Sequence, residues 1–421
     1  DEEGRIALIY SDSQNDNYLC LEPAEEEVDL CEITMEVRSS DMDSYKWMVA
    51  EFNKRYPSCH IELIEHNYED NTALLTQLTA GKGPVLLDPT LPGLNFEELE
   101  KLWEPLDSVM EQLGVTEELQ PTALEIGKIN GTLYGVVRDF NLSTVVANPD
   151  LKDWDYDTFF QCVQDRPEIE AICNYYDGES GLYYLINLLN HGVEDSCFIV
   201  PDEETGKLYF DSGRFLQILE LAEKYCVRKE GVQSGNSLLE GKALCNTLNV
   251  RSPEDVAAYR TIYGENVNYI GYPTKDGRTY FMGPSGMLSI RRSATKEEKE
   301  AAAAFLALCL SYEGQVQAAK SIDFNLSVRR DVLEEQIASM KSRTNMPDFG
   351  EVNMGGNMNI ELDRMTLLDL IEGAKPIKYF QKELREIIFG ELDLYLAGDI
   401  TKDMLIDHLE NRVGLYLGEK N

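Results

Sequence analysis

Hydrophobic positions along the chain repeat first with a period of two and then with a period near four. Ile33, Met35 and Val37 alternate with polar residues, the mark of a strand with one buried face. From Asp41 to Tyr56 the period lengthens. Tyr45, Met48, Val49 and Phe52 fall at i, i+3, i+4 and i+7, which predicts an amphipathic helix that Asp41, Asp43 or Ser44 can cap and Pro57 stops. Ile61, Leu63 and Ile64 predict a second strand, Thr72–Ala80 a short helix ended by Gly81, and Val85–Leu87 a third, buried strand. Strand–helix–strand alternation of this kind implies a parallel α/β sheet. Further on, Leu133–Val137 and Thr144–Ala147 read as two strands separated by a polar link, Arg138–Ser143. Leu208–Phe210 reads as a strand, and Gly213–Lys229 as a helix with Phe215, Ile218, Leu219 and Ala222 on one face. Tyr280–Ile290 is a β segment followed by a strong helix, Lys296–Leu310, and the C-terminal part is helical over Ile377–Ala397 and Asp403–Leu417.

Residues 1–31 differ from the rest. Arg5–Tyr10 and Asn17–Glu22 flank the polar Ser11–Asp16 and predict a hairpin, with the acidic Pro23–Asp29 after it. A lone hairpin is marginal in water. It is expected to finish a domain lying upstream, or else to dock on the body.

Charge narrows the partners. Against 38 Lys and Arg stand 76 Asp and Glu, a formal net charge of −38. That field repels phosphate backbones and anionic lipid, so no nucleic acid partner and no membrane-surface role is expected. Hydrophobic residues at 43% beside 27% charged residues mark a chain that buries real cores and is not disordered. At 421 residues, two or three domains are expected. No apolar run approaches the roughly 18 residues of a spanning helix. Nine cysteines, none in a CxxC pair, read as free thiols and not as a disulfide scaffold or zinc ribbon.

Four segments together resemble the extracellular solute-binding proteins of ABC importers, in the carbohydrate-binding branch that includes maltose-binding protein. They are Ala50–Pro57 (AEFNKRYP), Gly81–Asp88 (GKGPVLLD), Asn130–Asn141 (NGTLYGVVRDFN), and the run from Gly283–Ile290 (GPSGMLSI) through Ser293–Leu306 to Phe324–Val328 (FNLSV). Val85, Val137 and Ser327 stand where the family usually has Asp, Pro and Pro. The resemblance spans about 33–415 and leaves out residues 1–31. It implies a periplasmic-binding-protein-like α/β fold: two lobes joined by crossing hinge strands, with a ligand cleft between them. Residues 32–138 with 288–323 would form lobe 1, and 142–281 with 328–421 lobe 2. The hinges would lie near 139–141, 282–287 and 324–327. It also implies a monomer that carries a sugar or oligosaccharide to a membrane permease. The expected location is outside the cell, held by a lipid anchor or domain upstream.

Sugar recognition pairs aromatic rings with C–H faces and planar polar groups with hydroxyls, because a buried hydroxyl left unpaired costs about 1–3 kcal/mol. Ligands of open α/β sheets sit beyond the carboxyl ends of the strands, which selects loops. The candidate ligand residues are therefore Ser40 and Asp41 after the first strand, Asp88 after the third, and Asp139 and Asn141 at the first crossover. Tyr175, Tyr176 and Asp177 lie in the Gly-flanked loop Asn174–Gly181. Asn249 and Arg251 follow the β-like Ala243–Val250. Met282 and Ser285 lie at the second crossover, and Tyr379 in the C-terminal region. Replacing Tyr175 and Tyr176 by Ala is expected to abolish binding. Trp103 and Trp154 read as packing residues, the latter beside a helix capped by Asp157, and Trp47 as half-buried or near the cleft mouth.

Other functions fit less well. GxSxG, GxxxxGK[ST], HExxH and GxGxxG are all missing, so no enzyme is expected. Asp153, Asp155 and Asp157 imitate the start of an EF-hand, but Thr158 and Gln164 occupy its Gly and Glu places. No metal or cofactor is expected. The same fold with a polyamine, peptide or iron ligand stays open, as does a surface sensor or interaction module.

Overall fold

The computed structural model describes residues 6–11, 16–21, 30–67, 71–91, 94–173, 185, 187–189, 210, 213–225, 238–346, 349–377 and 382–420. The expected hairpin is formed by β1 (Ile6–Ser11) and β2 (Asp16–Leu21), which pair antiparallel in a sheet of their own. The body begins with β3 (Cys31–Val37), α1 (Met42–Arg55) and β4 (Cys59–Glu65). Next come α2 (Asn71–Thr79) and the short β5 (Leu86–Leu87). β3 pairs parallel with both β4 and β5, as the alternation required. Asn53 on α1 fixes the first turn of this unit. Its Nδ2 donates to the Ile61 carbonyl at 3.1 Å and its Oδ1 accepts from the Ile61 amide at 2.8 Å.

Three long strands dominate the middle of the chain: β6 (Val136–Ala147), β8 (Ala243–Val250) and β9 (Gly277–Ile290), with the short β7 (Ala171–Cys173) beside β8. Here the structure corrects the sequence reading. Arg138–Ser143 is not a polar link between two strands but the centre of β6, where Arg138, Asp139 and Ser143 find side-chain or backbone partners inside the fold. Among the described residues, ten strands join one sheet, with the central order β4-β3-β5-β9-β6-β8-β7. β9 meets β5 through Ser289 and Ile290 and meets β6 from Phe281 to Leu288. β6 in turn meets β8 from Leu142 to Ala147. β10 (Leu326–Ser327) adds to β6 at Phe140 and Asp139, and β11 (Ala374–Pro376) runs parallel to β9. The chain thus passes three times through one short stretch of sheet.

Two cores flank that stretch. On one side Phe52 of α1 and Phe305 of the helix α4 (Lys296–Leu310) pack edge to face at 5.7 Å, with Ile33, Met35 and Leu86 buried beneath them. On the other, Trp154, Phe159, Phe210, Phe215, Leu219, Ile388 and Leu405 form a second cluster. Trp103 and Trp154 are both buried, and each indole donates to a backbone carbonyl, of Phe96 at 3.0 Å and of Gly271 at 2.9 Å. The helix after Trp154 is capped by Asp155 and Thr158, not by Asp157: Asp155 precedes the first helical residue and its carboxylate accepts from the Thr158 amide. Trp47 is half-buried against the first core. The helix expected over Gly213–Lys229 is described over Gly213–Tyr225, and Leu208 lies outside the described residues. The C-terminal helices cover Lys382–Leu396 and Lys402–Lys420.

Candidate functional site

The crossing strands bury a charged knot. Arg138 and Asp139 at the centre of β6 are almost fully shielded, and the Arg138 Nε donates to Asp139 Oδ1 at 2.7 Å. The guanidinium also donates to Ser44 Oγ at 2.5 Å and lies 4.1 Å from the centre of the Tyr45 ring and 5.4 Å from that of Phe324. Asp139 Oδ2 accepts from the Asn325 amide at 2.9 Å, tying the third crossing to the first. Asn325 Nδ2 then donates to Ser285 Oγ at 2.7 Å, tying the third to the second. Burial by itself works against the Arg138 charge, but Asp139, Tyr45 and Asp41 outweigh it and hold the guanidinium protonated.

Gly286 exists for this knot. A Cβ there would stand 2.8 Å from Asp139 Oδ1 and 2.9 Å from Arg138 Nη2. The β6–β9 register skips at this point: Pro284 faces Phe140 and Gly286 faces Asp139, leaving Ser285 unpaired. Such a bulge re-aims a side chain, and Ser285 lines the cleft beside the knot.

That cleft has a volume of about 780 Å³. Its walls come from separate parts of the chain. The turn after β3 brings Ser40 and Asp41. The end of β8 brings Asn249, Arg251 and Ser252, where the helix α3 (Pro253–Tyr263) starts. The second and third crossings bring Ser285, Ile322, Asp323 and Asn325, and the strand Arg343–Met346 brings Thr344 and Asn345.

Each wall is set by local chemistry. Asp255 accepts from the Arg251 and Ser252 amides at 2.7 and 3.0 Å, closing a capping box that leaves the Arg251 side chain exposed and without an ion-pair partner among the described residues. Ser44 Oγ donates to the Asp41 carbonyl, while the Asp41 carboxylate makes no capping bond although it stands at the helix start. Its nearest cation is Arg138 Nη2 at 4.0 Å. Burial pushes the Asp41 pKa up to about 7. Arg138 opposes that shift, and Asp88 and Asp139 add to it. Apolar surface is present too: Phe324 and Met346 line the cleft, and Ile322 on its rim is 96% exposed.

Of the residues selected from sequence, Ser40, Asp41, Asn249, Arg251 and Ser285 meet in this cleft. Four others do not line it. Met282 is fully buried in the core. Asp139 is spent inside the knot. Asp88 is a turn anchor that accepts from the Thr90 amide and hydroxyl at 2.8 and 2.6 Å and pairs with Arg38 at 3.1 Å. Asn141 is half-buried on β6 opposite Gly283 and is not a lining residue. Tyr175, Tyr176, Asp177 and Tyr379 lie outside the described residues. Sequence reasoning missed Ile322, Asp323, Asn325, Thr344 and Asn345. For the first three, the expected crossover at 324–327 was a usable signal, since a strand that crosses between lobes also edges the space between them.

A polar cleft edged by Ser285 and Asn325, beside the buried Arg138–Asp139 pair, suits a two-lobed binding protein. The chain belongs to the bacterial extracellular solute-binding protein family, whose model matches residues 47–347. No curated protein matches it in sequence. Similar solved structures have the same fold. An ABC substrate-binding protein of Listeria monocytogenes, Lmo0181, in complex with cycloalternan, is 16% identical with a TM-score of 0.54, over 93% of this chain and 100% of that one. Maltose-bound MalE3 of T. maritima is 17% identical with a TM-score of 0.54, over 92% and 100%. The sugar-binding protein MalE of Xanthomonas citri is 15% identical with a TM-score of 0.56, over 92% and 98%.

Proposed function

We propose that this protein is the monomeric solute receptor of an ABC importer, and that it binds a sugar or oligosaccharide in the cleft and presents it to a membrane permease. The observation that carries this reading is the lining of the cleft: Ser40, Asp41, Asn249, Arg251, Ser285, Asn325 and Asn345 converge from distant parts of the chain. Several planar or hydroxylated polar groups beside Phe324, Ile322 and Met346 suit a ligand with many hydroxyls and apolar C–H faces. The similar structures include maltose-bound and sugar-binding proteins, which support the same class. In this reading the lobes are 32–138 with 288–323 and 142–281 with 328–421. The solute contacts both, and closure follows because the closed state has the greater affinity for it.

Asp41 would accept a ligand hydroxyl in its charged form. Its pKa near 7 then makes affinity fall as pH drops below about 7. The test is a thermal-unfolding screen against mono- and oligosaccharides, polyamines and peptides. A sugar at a hundred times its Kd stabilises by about 2.7 kcal/mol, an obvious rise in Tm. Stabilisation by polyamines or peptides alone would keep the fold and overturn the ligand class.

A further inference from the structure

Two pairs of cysteines stand side by side on parallel strands, one pair in each core. Cys31 of β3 is in register with Cys59 of β4, and Cys173 of β7 with Cys245 of β8. Neighbouring strands lie about 4.8 Å apart, within the Cα separation a disulfide tolerates but toward its short end. All four residues are thiols in the structure. The two pairs differ in environment. Cys173 and Cys245 are fully buried with their sulfurs 3.6 Å apart. Cys31 and Cys59 are half-exposed, on the edge strand of the sheet and its neighbour, at the strand ends where the chain enters the body. Burial first, and then the neighbouring Cys59, raise the Cys31 pKa, the second cause showing how close the two side chains lie.

We propose that Cys31 and Cys59 form a redox-labile disulfide that staples the edge strand of this lobe, while Cys173 and Cys245 stay reduced in the folded protein. The oxidant is a small-molecule disulfide or a thiol–disulfide oxidoreductase of the extracellular space, where the family works. One thiolate attacks the oxidant's disulfide, forming a mixed disulfide and expelling one thiol. The neighbouring thiolate then attacks the protein sulfur of that mixed disulfide, closing the Cys31–Cys59 bond and expelling the second thiol. Two protons leave the protein, and the two electrons end on the reduced oxidant. The buried pair fails at the first step: no oxidant reaches it, and burial holds the Cys245 thiol protonated. The new ring contains all of α1, so closing it limits the unfolded chain. Its half-exposed position leaves the bond open to reductants.

The experiment treats the folded full chain with oxidised glutathione, alkylates the remaining thiols in denaturant, and maps unreduced peptides by mass spectrometry. The expected result is one linked peptide pair, Cys31 to Cys59, lighter by two hydrogens, removed by dithiothreitol and accompanied by a higher Tm. Cys173 and Cys245 are recovered alkylated. A Cys59→Ser chain, altered at a single half-exposed atom, loses both the linked pair and the Tm rise. Recovery of Cys31 and Cys59 as separate alkylated or glutathione-capped peptides, or linked to Cys20 or any other cysteine, overturns the proposal. Linkage of Cys173 to Cys245 overturns its selectivity.

Discussion

Asp41 shows how much one side chain can decide. A carboxylate at a helix start normally caps it, yet here the capping geometry is absent and the group is left shielded at the cleft wall. Because its folded pKa is raised, the folded state holds a proton more tightly than the unfolded chain between about pH 4 and pH 7. Stability contributed by this group is therefore greatest at the acid end of that window and falls as pH rises through it. Asp41→Asn should flatten that fall: measured by thermal unfolding, the variant gains on the wild type as pH goes from about 5 to about 8. A parallel pH dependence in both proteins would show that the shift belongs to another group. Gly286 is the opposite case, a residue needed for what it lacks. Gly286→Ala forces a methyl into the Arg138–Asp139 pair and should cost about 1–3 kcal/mol in denaturant unfolding. Neither role is visible in the sequence, where Asp41 reads as a cap or a ligand and Gly286 as one glycine in a β run.

At the scale of elements, the sequence was most legible where periodicity was long and continuous. The helices at Met42–Arg55 and Lys296–Leu310 match their apolar spacing, because burial of one face is a strong local signal, whereas no side chain caps the first of them. β6 was illegible for a physical reason. Its centre carries Arg138, Asp139, Asn141 and Ser143, residues that look like a loop until the partners that neutralise them are known. The clamp between Asn53 and Ile61 is also long-range in character although short in sequence. Asn53→Ala should destabilise by about 1–3 kcal/mol, since it removes partners from an amide and a carbonyl on the edge strand. A loss of less than about 0.5 kcal/mol would mean that water replaces the clamp.

For the whole molecule, β6, β9 and β10 pair side by side around Asp139 and Phe140, and the cleft collects side chains from beside the latter two. Five of the residues chosen from sequence meet there. Asn345 and Thr344 could not be foreseen, because a short exposed strand carries no pattern that says what it faces. Arg251 gives the sharpest test of the site by substitution. It is an exposed guanidinium on the wall of a cleft with no ion-pair partner among the described residues. Arg251→Ala should weaken sugar binding by about 1.5–3 kcal/mol in calorimetric titration, with the folded stability unchanged.

The most direct measurement is hydrogen exchange of the full chain with and without a sugar that raises its Tm. Protection is predicted in four separated stretches at once, around Ser40 and Asp41, Asn249 to Ser252, Ser285, and Ile322 to Asn325, as a ligand held between two lobes requires. Protection confined to other surfaces, or to the stretches of one lobe alone, would contradict a solute site between the lobes.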